Sequence, residues 1–240
     1  MKNKFYKKNA TEYKLAEVVS VVSHQLKTPL SAMKGYLEVL LSEELGKLTK
    51  QQKEYLNDIL ENNRRMMNLV RDFLDVVRIE SGQIEFMRKP TDLAKITKEV
   101  LEDFSLLAKA KNCNLFLKIL EKPPLLNVDP VRIKEAIANI VSNAILYNKR
   151  KGKIELSLFQ KGEKVLLCCK DTGIGIAERE KDKIFTKFYR SEQAVSLAPK
   201  GSGLGLFISK ALIEKNGGKL WFKSREDKGS IFCFSLPIKS

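Results

Sequence analysis

The chain has 240 residues, 43% of them hydrophobic and 30% charged, enough apolar material for one large or two modest domains. No apolar run approaches the roughly 20 residues that a membrane span needs, and the basic start Met1–Lys8 does not resemble a signal peptide. The net charge is +15. Because no nucleic-acid-binding motif accompanies the scattered basic residues, we expect no nucleic-acid partner. A cytoplasmic location is expected, either alone or as the cytoplasmic portion of a membrane-bound protein.

The four cysteines predict neither a metal site nor a redox motif. They form no C-x-x-C pair, and the single histidine leaves no Cys/His ligand set. Cys168 and Cys169 are adjacent in an apolar, strand-like run and are expected to point to opposite faces. We expect all four to be reduced structural thiols, as is usual in the cytosol.

The first third of the chain predicts two long amphipathic helices. From Leu15 onward, apolar residues recur at steps of three and four as far as Leu41. Leu45–Thr49 interrupts this stripe, and Thr49 is a suitable N-cap for the next helix. A second stripe runs over residues 55–77 and stops at Ser81–Gly82. Two such helices bury their stripes poorly alone, which predicts a four-helix bundle formed by dimerisation.

The rest of the chain changes character and predicts mixed helices and strands. Pro90 and Asp92 mark the boundary, and Asp129–Pro130 gives a later helix an N-cap followed by proline at its first position. The expected helices are Leu93–Lys109, Pro130–Tyr147 and Ser202–Asn216, and the expected strands are Leu115–Leu120, Ile154–Phe159, Val165–Lys170, Leu220–Ser224 and Ser230–Pro237. This order predicts an α+β sandwich with its helices on one face of the sheet.

His24, the only histidine, is expected to be exposed on the first helix. It lies two residues from Val22 and two from Leu26, which places it away from the apolar stripe. A neutral imidazole is a good nucleophile near neutral pH. Pro29 follows within helical distance and is expected to loosen or bend the helix there.

Two glycine clusters and a pair of asparagines predict a nucleotide site. Asp171–Ile176 (DTGIGI) follows a strand, and Gly201–Leu206 (GSGLGL) opens a helix whose N–H groups can bind phosphates. Neither is a Walker A or a G-x-G-x-x-G motif. Asp171 offers a buried acceptor for an adenine amino group. Asn139 and Asn143 share one helix face, where side-chain carbonyls can orient a phosphate-bound Mg²⁺.

Taken together in this order, the motifs resemble those of the two-component sensor histidine kinases that carry a GHKL-type (Bergerat) ATP-binding domain. The resemblance covers about Tyr13–Ile238. The matching segments are a phosphoacceptor box at Ser23–Leu30, an asparagine box at Asn139–Asn148, glycine boxes at Asp171–Ile176 and Gly201–Leu206, and a phenylalanine box at Ile184–Arg190.

The resemblance implies a domain plan and a set of site residues. The plan is a dimerisation and phosphoacceptor hairpin over 10–82, a linker over 83–91 and an ATP-binding domain over 92–240. The implied catalytic residues are His24, Gln25 and Thr28. Those implied to bind ATP are Asn139, Asn143 (which would also hold Mg²⁺), Tyr147, Asp171, Gly173, Gly175, Ile176, Arg190, Gly201, Gly203, Leu204 and Gly205. The implied partners are a second copy of the chain and a response-regulator receiver domain, which receives the phosphoryl group from His24 and can also be dephosphorylated.

Two residues depart from the family pattern. An acidic residue usually follows the phosphoacceptor histidine, but here it is Gln25, whose carbonyl can orient a ring N–H without bringing charge. A lysine is common where this chain has Leu146, so a phosphate contact is either missing or supplied by a nearby basic residue. These departures leave open a degenerate kinase that binds nucleotide and acts as a dimeric scaffold. A gyrase-like, MutL-like or Hsp90-like ATPase using Glu135 is a further alternative.

Overall fold

The chain forms two compact units, Met1–Ile84 and Glu85–Ser240. The computed structural model describes the backbone of residues 2–238 and the side chains of residue 19 and residues 21–238. Within this described part, no helix combines the length and apolar character needed to cross a membrane.

The first unit is a hairpin of two long helices, as predicted. Helix α1 spans Lys2–Leu41 and α2 spans Lys50–Glu80. Helix α1 begins well before Leu15, where the apolar stripe starts, because lysine, alanine and glutamate continue a helix readily without an apolar face. Thr49 caps α2 in a capping box: Gln52 N donates to Thr49 Oγ1 at 3.2 Å, and Thr49 N donates to Gln52 Oε1 at 2.8 Å.

Each helix of the hairpin carries a buried face and a separate exposed apolar stripe. The shared interior includes Leu30 and Leu37 from α1 and Leu60 and Val76 from α2. The exposed stripe consists of Val22, Leu26, Met33 and Leu40 on α1, and of Tyr55, Ile59, Met66, Leu69 and Phe73 on α2. Several of these side chains are at least half exposed, for example Met33 at 53% and Met66 at 51%. The hairpin by itself therefore leaves a continuous apolar surface uncovered.

The second unit is a two-layer α+β sandwich, as expected. Its elements are β1 (Lys89–Thr91), α3 (Leu93–Ala110), β2 (Asn114–Ile119), β3 (Leu126–Val128), α4 (Pro130–Leu146), β4 (Lys153–Lys161), β5 (Lys164–Asp171), α5 (Glu192–Leu197), α6 (Gly205–Lys215), β6 (Lys219–Arg225) and β7 (Gly229–Pro237). The main sheet has the order β2-β4-β5-β7-β6. Strand β2 runs parallel to β4, and the other neighbours are antiparallel.

Helices α3, α4 and α6 cover one face of this sheet. On β4, Ile154, Leu156 and Leu158 are fully buried and alternate with partly exposed residues, which is the pattern of a strand with one covered face. Because β5 and β7 are central neighbours in the sheet, the end of β5 lies beside the start of β7. This register positions the site described below.

Three features of this unit differ from the sequence prediction. Strand β1 lies inside the segment 83–91 that was expected to be a linker. It pairs with β3, a strand that was not predicted because it lies between prolines in a segment expected to be a loop. Helix α5 was not predicted; Ser191 caps it by accepting a hydrogen bond from Ala194 N at 3.1 Å. Helix α6 begins at Gly205 rather than at Ser202.

The expectation of four reduced cysteines was wrong in one respect. Cys168 and Cys233 form a disulfide bond, because the antiparallel register of β5 and β7 places them directly opposite each other. This pairing joins residues 65 positions apart, which local sequence cannot reveal. Cys113 and Cys169 are buried free thiols. Burial raises the pKa of the Cys169 thiol, so this cysteine remains neutral.

Candidate functional site

The exposed His24 lies on a locally weakened turn of α1. Its side chain is exposed, as predicted, whereas that of Ser23 is buried. Thr28 Oγ1 donates a hydrogen bond to the His24 carbonyl at 3.2 Å, a contact that tends to bend helices. Pro29 has no N–H, so the Gln25 carbonyl receives no helical hydrogen bond from it. The turn that follows His24 is therefore held less firmly than the rest of the helix.

A groove of about 280 Å³ lies beside this turn, between the two helices of the hairpin. Its lining residues are Val19, Val22, Ser23, Leu26, Leu69, Val70 and Phe73. Six of the seven are apolar, so the groove suits an apolar side chain better than a charged ligand. It is continuous with the exposed stripe of the hairpin.

Asp171, at the end of β5, is a buried carboxylate held by backbone donors. It is 9% exposed, and its Oδ1 accepts hydrogen bonds from Gly173 N at 2.8 Å and from Ser230 N at 3.1 Å. Burial raises the pKa of Asp171 above its ordinary value, while the two backbone hydrogen bonds lower it in part. Both bonds use Oδ1, so neither occupies the second oxygen, Oδ2.

The first glycine cluster packs directly against the end of α4. Ile174 N donates to the Tyr147 carbonyl at 3.1 Å. A Cβ on Gly173 would clash with the same carbonyl, and a Cβ on Gly175, which has φ +69°, would clash with the Arg225 carbonyl. These glycines are therefore required by the close approach of the chain to itself. They keep the loop after Asp171 against the helix that carries the asparagines.

Helix α4 presents the predicted asparagines next to the start of α6. Asp129 Oδ1 caps α4 by accepting from Val131 N at 2.9 Å and from Arg132 N at 3.1 Å. Further along the helix, Asn139 Nδ2 donates to the Gly205 carbonyl at 3.4 Å. Asn143 is half-buried one turn later. The structure thus brings Asn139 to the second glycine cluster.

Residues 189–202, called the lid below, form a loop that is closed at its base. Phe188 N donates to the Gly203 carbonyl at 3.0 Å. Phe188 has φ +63° and Gly203 has φ +71°, so both ends of the closure adopt the left-handed backbone conformation. A Cβ on Gly203 would lie 2.8 Å from the Phe188 carbonyl carbon, which explains why glycine is needed there.

The guanidinium group of Arg190 organises the interior of the lid. It donates to the carbonyls of Ala194 at 2.9 Å, of Pro199 and Gly201 at 3.1 Å each, and of Ala198. The carbonyls of Ala198, Pro199 and Gly201 come after the end of α5, where no helical N–H is available to them. In this structure Arg190 therefore binds lid carbonyls, and the nucleotide contact that the family resemblance implies for it stays a prediction.

Two further residues predicted to bind ATP have side chains that are wholly or partly buried. The Leu204 side chain is 1% exposed and belongs to the interior, so contact with a ligand would have to come from its backbone. Its N–H donates to Ser202 Oγ at 3.3 Å. Ile176 is partly buried against the core. Sequence reasoning missed Ser230, the second donor to Asp171, since only the pairing of β5 with β7 brings it near.

Comparison with known proteins gives matches to both units. Residues 14–82 match the family described as the His Kinase A (phospho-acceptor) domain. Residues 128–240 match the family of histidine kinase-, DNA gyrase B- and HSP90-like ATPases. The circadian input-output histidine kinase CikA of Synechococcus elongatus is 30% identical over 223 residues, which are 92% of this chain and 30% of CikA. The chain thus spans less than a third of that curated relative.

Solved structures give the same picture. The chain is similar to full-length ShkA in complex with AMPPNP, at 26% identity and a TM-score of 0.78, covering 92% of this chain and 45% of ShkA. It is also similar to the catalytic domain of histidine kinase ThkA, at 30% identity and a TM-score of 0.56, covering 65% of this chain and 97% of that domain. ThkA in complex with the response regulator TrrA shares the fold at 24% identity and a TM-score of 0.64, covering 99% of this chain and 66% of ThkA.

Proposed function

Because the chain belongs to the histidine kinase family, we propose that it transfers the γ-phosphoryl group of ATP to His24 and then to an aspartate of a response-regulator receiver domain. The observation that carries the proposal is an exposed histidine on the phosphoacceptor hairpin, in the same chain as a buried carboxylate bound by the glycine loop that follows it. The relatives ShkA, solved with AMPPNP, and ThkA, solved with a response regulator, support the nucleotide and the partner.

The proposed nucleotide site uses Asp171 for the base and α6 for the phosphates. Oδ1 of Asp171 is engaged by two backbone donors, which leaves Oδ2 to accept from the adenine amino group. The N-terminal turn of α6 begins at Gly205, and its free N–H groups favour a phosphate. Asn139 links this turn to α4.

The asparagines of α4 fit a Mg²⁺ ion bound to the phosphates. No group of three or more His, Cys, Asp or Glu side chains within the described part of the chain could hold a metal by itself. Mg²⁺ in nucleotide sites is commonly held by one or two protein oxygens together with phosphates and water. The Asn143 carbonyl is the protein oxygen we assign to it. The ion would supply charge neutralisation on the phosphates when bound.

The chemistry assigned to His24 is nucleophilic. The unprotonated ring nitrogen attacks the γ-phosphorus, a P–N bond forms, the bond to the bridging oxygen breaks, and ADP leaves. Such transfers depend mainly on positioning and charge stabilisation. To Gln25 we assign the orientation of the opposite ring N–H, which its carbonyl can accept. The phosphoryl group then passes from the ring nitrogen to a carboxylate oxygen of the receiver aspartate.

The test is incubation of the chain with radiolabelled Mg-ATP, followed by acid and base treatment of the product. We expect a label that is lost in acid, survives base and is absent from His24→Gln. Because His24 is the only histidine, the label can be assigned without mapping. Asn143→Asp should lose both nucleotide binding and label. A wild-type chain that binds ATP but never acquires the label would instead support the scaffold alternative.

We further propose that Thr28 assists dephosphorylation of the regulator. Its side chain lies one helical turn after His24, where a hydroxyl can orient water towards the phosphoaspartate. Thr28→Ala is expected to slow the loss of phosphate from the regulator, whereas Thr28→Ser, which keeps the hydroxyl, should retain the activity. Equal rates for Thr28→Ala and wild type would contradict this role.

A further inference from the structure

Asn63 of α2 is a buried amide whose nitrogen has a hydrogen-bond partner and whose oxygen has none in the described part of the chain. It is 4% exposed, and its Nδ2 donates to the Leu30 carbonyl of α1 at 3.1 Å. Its Oδ1 is buried and has no hydrogen-bond partner in the described part of the chain. A buried acceptor without a donor carries a desolvation cost, which an apolar side chain of similar size would avoid. Asparagine at this position is therefore not explained by stability alone.

The contact made by Asn63 lies at a particular point of α1. Leu30 directly follows Pro29, whose missing N–H leaves the turn between His24 and Leu30 short of a helical hydrogen bond. Thr28 adds a second bond to the His24 carbonyl within that same turn. Asn63 thus ties α2 to the first carbonyl beyond the weakened turn.

The neighbouring Asn62 shows that this contact is specific to one position. Asn62 is exposed, and its Nδ2 donates to the Asp58 carbonyl of its own helix at 3.0 Å. It therefore makes no contribution to the α1–α2 contact, although it has the same side chain one residue away. It provides a matched control for substitutions at position 63.

We propose that Asn63 is a positioning residue for phosphorylation: it anchors α1 just after Pro29 and so sets the position from which His24 meets the γ-phosphate. The inference rests on the proposed kinase function. With the far side of the weak turn held by α2, bending is confined to the segment that carries His24. Loss of the anchor leaves the histidine attached to a less defined helix, while the nucleotide site is untouched.

The principal test compares Asn63→Leu with Asn62→Leu and wild type. For Asn63→Leu we expect the autophosphorylation rate at saturating Mg-ATP to fall roughly ten- to hundredfold, as small misplacements of reacting groups do. The KM for ATP should not change, and the unfolding midpoint should stay equal or rise, because the unpaired amide has been removed. Asn62→Leu should keep the wild-type rate. A wild-type rate in Asn63→Leu, or a rate loss that accompanies a lower unfolding midpoint, would overturn the proposal.

Two additional measurements separate this inference from the proposed function. Amide hydrogen exchange over residues 26–32 should be faster in Asn63→Leu than in Asn62→Leu, and this readout does not require kinase activity. If wild type never becomes labelled, the proposed function fails, but amide hydrogen exchange still tests whether Asn63 anchors α1. Exchange over residues 26–32 that is unchanged in Asn63→Leu would refute the anchor. In a double-mutant cycle, Pro29→Ala restores the missing hydrogen bond, so the effect of Asn63→Leu on exchange should shrink in that background. Full additivity would count against the proposal.

Discussion

The phosphorylation proposed for His24 requires one ring nitrogen without a proton and the other with its proton held in place. The residue after it, Gln25, can accept from that ring N–H through its carbonyl. It cannot stabilise the positive charge that develops on the ring during attack, which a carboxylate would do. The amide in this position therefore supports orientation without charge stabilisation.

We predict that Gln25→Glu phosphorylates His24 faster than wild type at saturating Mg-ATP. Orienting and acid–base groups contribute at most about 10²–10⁴-fold, so wild type should be active but slower than the variant. The measurement is the initial rate of acid-labile label, with Gln25→Ala as the control that lacks the carbonyl and should be slower than wild type. An equal or lower rate in Gln25→Glu would mean that glutamine already suffices.

Asp171 is a residue whose burial opposes the role proposed for it, because burial disfavours the ionised carboxylate. Because burial raises its pKa in the folded state, the folded chain binds a proton more tightly there than the unfolded chain does. Stability from this group therefore falls as the pH rises from the unfolded pKa through the folded pKa. Once ionised, the carboxylate carries a desolvation cost that a neutral side chain would avoid.

We predict that Asp171→Asn is more stable to unfolding than wild type at neutral pH and binds ATP much more weakly. An asparagine Oδ1 can still accept from Gly173 and Ser230, but the side chain no longer offers the adenine amino group a carboxylate oxygen. The difference in stability should disappear at pH values below the ordinary pKa of aspartate. Denaturant unfolding and calorimetric titration measure the two effects.

The pH dependence of binding supplies a separate check on Asp171. At each pH the affinity of wild type for ATP is divided by the affinity of Asp171→Asn. This ratio should fall as the carboxyl is protonated, with a midpoint above the ordinary pKa of an aspartate carboxyl. Taking the ratio removes the titration of ATP itself. A ratio that stays constant with pH would contradict the assignment of the carboxylate to the base.

At the scale of elements, one side chain, that of Arg190, contacts much of the lid. Four carbonyls between Ala194 and Gly201 accept hydrogen bonds from Arg190, and the backbone pair of Phe188 with Gly203 closes the loop at its base. The planar guanidinium reaches several acceptors at once, which a lysine ammonium does not. The short helix α5 has little support of its own, since none of its residues is buried.

We predict that Arg190→Lys increases amide hydrogen exchange across residues 192–201 several-fold without unfolding the domain. The charge is kept, so a change must come from the lost hydrogen-bond geometry. Arg179→Lys, an exposed arginine outside the lid, is the matched control and should leave exchange unchanged. Equal exchange in Arg190→Lys and wild type would show that the lid does not depend on the hydrogen bonds of the guanidinium group.

At the scale of the whole molecule, the hairpin exposes more apolar surface than a stable monomer normally does. Val22, Met33, Ile59 and Met66 are each at least half exposed and lie on a stripe separate from the interior that α1 and α2 share. A second copy of the hairpin would cover both stripes in a four-helix bundle. We propose a homodimer on this basis and on the match to the phosphoacceptor family.

We predict that the chain is a dimer at micromolar concentration and that Met66→Lys weakens it at least tenfold, or roughly 1.4 kcal/mol. A lysine at the centre of the stripe must be desolvated on association. Asn57→Lys, at an exposed position of the same helix that lies off the stripe, should leave the dimer intact if the stripe is the interface. Light scattering and sedimentation measure both. A folded wild-type monomer at these concentrations would refute the homodimer.

The sequence by itself determined the features that depend on local patterns. The three-and-four spacing of apolar residues predicted both helices of the hairpin, and Thr49 and Asp129 correctly marked where α2 and α4 begin. The glycine clusters and asparagines predicted a nucleotide site, because glycine loops at strand and helix ends are local signals. The exposure of His24 was predicted from its position on the first helix, two residues from Val22 and two from Leu26 and therefore away from the apolar stripe.

Only the tertiary structure decided what depends on residues far apart in the chain. The pairing of β5 with β7 brought Ser230 to Asp171 and joined Cys168 to Cys233. The packing of α2 on α1 placed Asn63 against the carbonyl beyond Pro29. These contacts are made between neighbours in space rather than in sequence, and they depend on register and packing, which propensities and motif spacing do not specify.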